Sequence, residues 1–230
     1  MPPITLLPGL ACDAEIWQDQ IRALAPRYPL QVSDAHTRFG TLPEMAAAVL
    51  AEQPGELRLC GTSMGGMLAL EILRQAPQRV KALALLASSA RPDTPELIQL
   101  RSDAIPLFEQ GRMHEVLEPN VPLALHPAHV PALAGRYLAM MERAGAAQLV
   151  AQNRAIMARP DQRPWLPRIA CPTLVVFGSS DQILPPAQSL ELAALIPGAR
   201  LEVLSRCGHL LTWEQPEAVN ALLMDWLAGL

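Results

Sequence analysis

A single serine stands between glycines in Gly61-Thr62-Ser63-Met64-Gly65-Gly66, and the flanks of that hexapeptide leave it few ways to fold. Upstream, Pro54-Gly55 signals a turn and Glu56-Leu57-Arg58-Leu59-Cys60 is short and apolar towards its end, which predicts a strand. Downstream, Met67-Leu68-Ala69-Leu70-Glu71-Ile72-Leu73 joins helix formers to an apolar repeat and stops near Pro77, which predicts a buried helix. A chain that passes from strand to helix in so few residues turns sharply, and G-x-S-x-G in that setting holds its serine in strained backbone with the hydroxyl clear of the sheet. Side chains at positions 61 and 65 would collide as strand and helix close together, so both call for glycine. The helix N-terminus adds partial positive charge beneath Ser63, and the N–H of Met64 points where an oxyanion would form. The segment reads as a nucleophile site.

The rest of the chain surrounds this turn with alternating strands and helices. Ile4-Thr5-Leu6-Leu7 is a short apolar strand ended by Pro8-Gly9, and Asp13 is placed to cap a helix carrying Ile16, Trp17, Ile21 and Leu24. A strand over 29–33, a polar loop over 34–40 and a helix over 42–53 lead to the serine strand. The next strand, 80–87, is almost continuously apolar, as strands of a parallel sheet covered on both faces are. Strict alternation predicts a mostly parallel α/β sheet with right-handed crossovers.

From residue 91 to 167 the pattern changes to helix after helix. Candidate helices over 95–110, 112–118, 128–144 and 146–158 are separated at Gly111, Pro119-Asn120, Pro127 and Pro160. We expect a helical lid inserted into a core formed by 1–90 and 168–230, beside the C-terminal strand ends where such sheets bind ligands. Alternation then resumes with strands at 173–177 and 200–204 and helices at 187–196 and 217–227.

The bulk numbers exclude some partners. The chain has 230 residues, enough for one domain with a sizeable core, and half of them are apolar. A net charge of -4 with no dense Lys/Arg run argues against nucleic acid and acidic membranes. No basic start, signal-peptide core or span of about twenty apolar residues is visible, so a cytoplasmic protein is expected, as a monomer or small homo-oligomer. Cys12, Cys60, Cys171 and Cys207 lack metal or disulfide spacing and read as reduced thiols.

A nucleophilic serine needs a base, and the base needs an anion to hold its tautomer. In this architecture both belong in loops after strands, in the order serine, acid, histidine. Asp181 follows the strand ending at Phe177, and His209 follows the strand ending at Leu204. With these residues in place, the chain resembles an α/β-hydrolase of the lidded esterase and lactonase type, a group that includes pimeloyl-carrier-protein methyl esterases, 3-oxoadipate enol-lactonases and cofactor-free haloperoxidases. The resemblance extends over nearly the whole chain. It also rests on Cys171-Pro172-Thr173-Leu174-Val175-Val176-Phe177-Gly178 and on Gly208-His209 followed by Glu214-Gln215-Pro216-Glu217. It implies a Ser63-His209-Asp181 triad, a second oxyanion donor in the N–H of Leu10, a small-molecule ester as substrate, and no metal or organic cofactor.

Two departures stand out. The family usually has His-Gly where this chain has Pro8-Gly9, so the bonds that histidine makes to brace the oxyanion loop are missing, and proline rigidity is the available substitute. The chain also begins almost at the family's third strand, which predicts a sheet of about six strands. Among the remaining residues, Trp213, Phe108, Leu107, Met140 and Met141 are candidate substrate contacts as well as candidate core. His36, His114, His126 and His129 read as surface or lid histidines, and Asp34 precedes the serine and so fits the triad order poorly. Arg101, Arg112, Arg136, Arg143 and Arg154 are candidates for pairing with an anionic substrate group. An ester hydrolase is the leading expectation; a lactonase, C–C hydrolase, acyl transferase or perhydrolase would use the same triad, and a non-catalytic receptor would keep the fold alone.

Overall fold

A computed structural model describes residues 2–230; Met1, the first residue of the expected core, lies outside the described residues. Six strands form one sheet: β1 (Ile4–Leu7), β2 (Leu30–Val32), β3 (Leu57–Thr62), β4 (Val80–Leu86), β5 (Thr173–Gly178) and β6 (Arg200–Leu204). Their order is β2-β1-β3-β4-β5-β6, and every pair is parallel. The chain leaves β1 for one side of the sheet and returns to β3 on the other, so the loops after β1 and β3 open side by side at a reversal of strand order. Open α/β sheets bind ligands at that crevice.

Alternation along the strands divides the core in two. Ala82, Ala84 and Leu86 of β4 belong to one apolar cluster, with Trp17, Leu24, Leu223 and Trp226. Leu83 and Leu85 belong to the other, with Met45, Leu68 and Leu192. Helix α1 (Gln18–Leu24) and the closing helix Pro216–Ala228 therefore cover one face, and α3 (Leu42–Glu52), α4 (Met64–Gln75) and α8 (Pro186–Leu195) the other. Asp13 caps the short 3-10 turn ahead of α1 by accepting the Glu15 N–H. The polar loop expected over 34–40 contains a single helical turn, α2 (Ala35–Arg38).

Between β4 and β5 come α5 (Pro95–Glu109), α6 (His114–Ala124) and α7 (Val130–Met157). The helix expected to end before Pro119-Asn120 instead runs through Pro119 and Pro122. Both prolines are exposed, so the carbonyls they leave unpaired meet water, while buried Leu117, Val121 and Ala124 hold the opposite face to the core. In α7 the run is broken at Gly145 (φ 77°, ψ 167°), leaving two rods where the sequence predicts two helices. Among the described residues, no helix is long and apolar enough to cross a membrane.

Candidate active site

Close packing of backbone produces the turn at Ser63. A Cβ at Gly61 would overlap the Gly65 carbonyl, and one at Gly65 would overlap the Leu7 carbonyl, so the strand-to-helix turn closes only over glycine. Ser63 takes φ 54° and ψ -120°, a strained conformation for a residue with a side chain. Neighbouring backbone over-determines it: the Ser63 N–H donates to Leu86 O at 2.9 Å, and the Ser88 hydroxyl donates to Ser63 O at 2.9 Å.

The loops after β5 and β6 meet over this serine. They pack so closely that a Cβ at Gly178 would overlap the Gly208 carbonyl. Asp181 Oδ1 accepts the N–H groups of Ile183 and Leu184, both at 2.9 Å, which aims Oδ2 at His209 Nδ1, 2.7 Å away. A carboxylate in that position selects the Nδ1–H tautomer. The lone pair of His209 Nε2 then faces Ser63 Oγ at 2.9 Å. Asp181 and His209 are both buried. Ser63, Asp181 and His209, far apart in the chain, thus form one unbroken line of hydrogen bonds.

The loop after β1 completes the surroundings. Gly9 lies against Ser63, with room for a Cβ only 3.3 Å from the serine's own. Among the described residues the N–H groups of Leu10 and Met64 have no acceptor; Met64 is the first residue of α4, where helical N–H groups are free. Ala11 has φ 53°, and its N–H donates to Gln152 Oε1 at 2.6 Å. Gln152 Nε2 donates to the His36 carbonyl at 2.8 Å, and His36 Nε2 donates to the Cys12 carbonyl at 2.8 Å. Side chains from α7 and α2 therefore bracket the loop that Pro8-Gly9 leaves without a histidine. His36, read from sequence as a surface residue, is buried here, and desolvation holds its pKa below the usual histidine range against the opposing bond to Cys12.

Glu214 has a comparable role on the other side. Its buried carboxylate accepts from the N–H groups of Gly208, Leu210 and His126 and lies 2.9 Å from His129 Nδ1, so it ties both flanks of His209 to the segment after α6. The His209 N–H donates to Ala124 O at 2.7 Å, in the same junction.

A cavity of about 320 Å³ opens from Ser63 and His209 between the sheet and the helices α5 to α7. Phe108 and Met141 are on its wall; Leu107, Met140 and Trp213 are not, which corrects three of the five expected contacts. Trp213 is held away by its indole N–H, which donates to Glu15 O at 3.1 Å, and by the Arg136 guanidinium stacked 4.1 Å above its ring. Met140 is wholly buried in the core, and Leu107 is half-buried beside the wall. Asp93, Arg159 and Asn153 are on the wall and were not singled out in the sequence, where nothing in their spacing connects them. The thiols are packing groups: burial pushes Cys12 up to about 12 and raises Cys60 and Cys207 as well.

Comparison with known proteins adds to this geometry. The profile of the alpha/beta hydrolase family matches residues 6–222. The chain belongs to that family. This hydrolase is 27% identical over 240 residues to a pimeloyl-[acyl-carrier protein] methyl ester esterase of Neisseria meningitidis serogroup B, covering 98% of this chain and 93% of that one. It superposes on a thermophilic esterase from Thermogutta terrifontis with a TM-score of 0.90 and 26% identity, covering 100% and 90%. Against the enol-lactonase of Burkholderia xenovorans the TM-score is 0.87 at 24% identity, covering 99% and 91%, a likeness of fold. Hydrolase chemistry is therefore the common ground.

Proposed function

We propose that this hydrolase cleaves carboxylic esters of small molecules through an acyl-enzyme. One observation carries the reading: the hydrogen-bond chain from Ser63 Oγ through His209 to Asp181, at the mouth of a closed-in cavity and beside two unpaired N–H groups. Ser63 Oγ attacks the ester carbonyl carbon and passes its proton to His209 Nε2. Asp181 accepts the Nδ1–H throughout and stabilises the imidazolium. The carbonyl oxygen, now an oxyanion, takes hydrogen bonds from the N–H groups of Leu10 and Met64, each worth ~2.7–4 kcal/mol of transition-state stabilisation. Collapse expels the alkoxide, which leaves as the alcohol with the proton from His209. Water, deprotonated by His209, then attacks the acyl-enzyme and releases the acid with Ser63 restored. The helices α5 to α7 serve as the lid that keeps bulk water from this sequence.

The test is covalent. Purified protein treated with a fluorophosphonate is expected to gain one phosphonyl group on Ser63, located by peptide mass spectrometry, and to hydrolyse p-nitrophenyl esters. Ser63→Ala is expected to abolish labelling and to lower kcat by roughly 10⁶-fold. Unchanged turnover in that variant overturns the reading.

A further inference from the structure

The wall of the cavity carries more positive charge than its own residues neutralise. Arg159 and Arg101 share one carboxylate: Arg159 Nη1 lies 2.9 Å from Asp93 Oδ1, and Arg101 Nε lies 2.7 Å from Asp93 Oδ2. Arg101 Nη1 also donates to Asn153 Oδ1 at 2.7 Å, while Arg159 donates from Nε and Nη1 to the Arg91 and Ile156 carbonyls. The Nη2 groups of both arginines find no acceptor among the described residues. All four side chains line the cavity that holds Ser63 and His209, and Asp93 is the one carboxylate on its wall among the described residues. The remaining wall cation, Arg91, is already neutralised by Glu191.

Two guanidiniums against one carboxylate leave one net positive charge in a largely buried place: the Arg159, Asp93 and Arg101 side chains are 3%, 2% and 23% exposed. An uncompensated buried charge is costly. Desolvation, together with the nearby Arg101, pulls Arg159 below its usual range against Asp93, yet arginine remains charged at any working pH. A second anion, supplied from the cavity, would complete the cluster. Free Nη2 groups on two planar forks present the paired donors that a carboxylate takes best.

We propose that Arg101 and Arg159, held by Asp93, form a carboxylate subsite, and that the substrate is a monoester of a dicarboxylic acid whose free carboxylate docks there while its ester lies at Ser63. This rests on the ester-hydrolase reading above. The acyl part is assigned to the subsite because it stays in the cavity through both chemical steps, whereas the alcohol leaves after the first. Asp93 is a positioning residue: it aligns the two forks and limits the charge they bury.

The test compares p-nitrophenyl monoesters of dicarboxylic acids, from succinate to suberate, with neutral p-nitrophenyl esters of matched length. The wild-type kcat/KM is expected to favour the anionic member by about tenfold or more at one chain length. Arg101→Gln is expected to erase that preference, and Arg101→Lys to restore part of it. A wild-type preference for neutral esters at every length overturns the subsite, as does an Arg101→Gln variant that slows both series by the same factor. Calorimetric titration of the wild type with the free diacids and matched monoacids separates the two readings. If no ester turns over but a diacid binds more tightly than its monoacid, and Arg101→Gln removes the difference, the subsite stands and the hydrolase reading falls. Equal binding or none overturns the subsite.

Discussion

Gln152 uses both ends of its amide on main chain, one on the Ala11 N–H and the other on the His36 carbonyl. Its removal leaves a buried N–H without an acceptor, at about 1–3 kcal/mol of stability, and frees a loop whose next N–H toward Ser63 is that of Leu10. Gln152→Ala is accordingly expected to lower kcat about tenfold with little change in KM, read from steady-state kinetics on a p-nitrophenyl ester. A rise in KM at constant kcat would assign Gln152 to substrate binding instead. At this scale the sequence was legible where chemistry follows spacing: Ser63, Asp181 and His209 stand just after β3, β5 and β6, each in a recognisable run. Gln152, Glu214 and the Asp93 cluster were not legible in the same way. Each takes at least one partner from a distant part of the chain, and an amide or carboxylate has no spacing rule that announces which N–H it will meet. Trp213 misled for a related reason, since nearness to His209 in the chain says nothing of the Glu15 carbonyl that turns its indole aside.

Among elements, the β3-to-α4 turn tolerates least. Its two glycines face backbone, which cannot swing aside as a side chain can, so Gly61→Ala and Gly65→Ala are expected to unfold the protein or to lower its thermal midpoint by well over ten degrees. Calorimetry on soluble material would decide. A change of only a few degrees would mean that strand and helix part more easily than their packing indicates. The sheet was legible because apolar runs of strand length recur between helical repeats, and each of the six strands lies within a residue or two of its expected position. The helical insertion was legible in kind but not in boundary. Pro119 reads as a terminator until it is known to face water, and that depends on which side of α6 the core takes.

At the scale of the whole molecule, acid sensitivity follows from His36. Burial depresses its pKa in the fold, whereas the unfolded imidazole titrates in the ordinary range. Between those values the unfolded chain binds the extra proton, so stability is full above the ordinary histidine range and falls as pH drops through it. Urea midpoints at neutral pH and near pH 5 are expected to differ in that direction, and His36→Gln to flatten part of the slope. A midpoint that rises on acidification would contradict the assignment.

His36 also belongs to the bridge through Gln152, whose far end is in the second rod of α7, past the bend at Gly145. Any movement that lifts that rod off the sheet withdraws the acceptor from Ala11 and slackens the loop beside Ser63. Under the proposed mechanism the assembly would work like a machine with a safety interlock: Ser63 would be armed only while the helices α5 to α7 lie shut, and a molecule too bulky to let them shut would meet a serine whose proposed oxyanion donors have lost their footing.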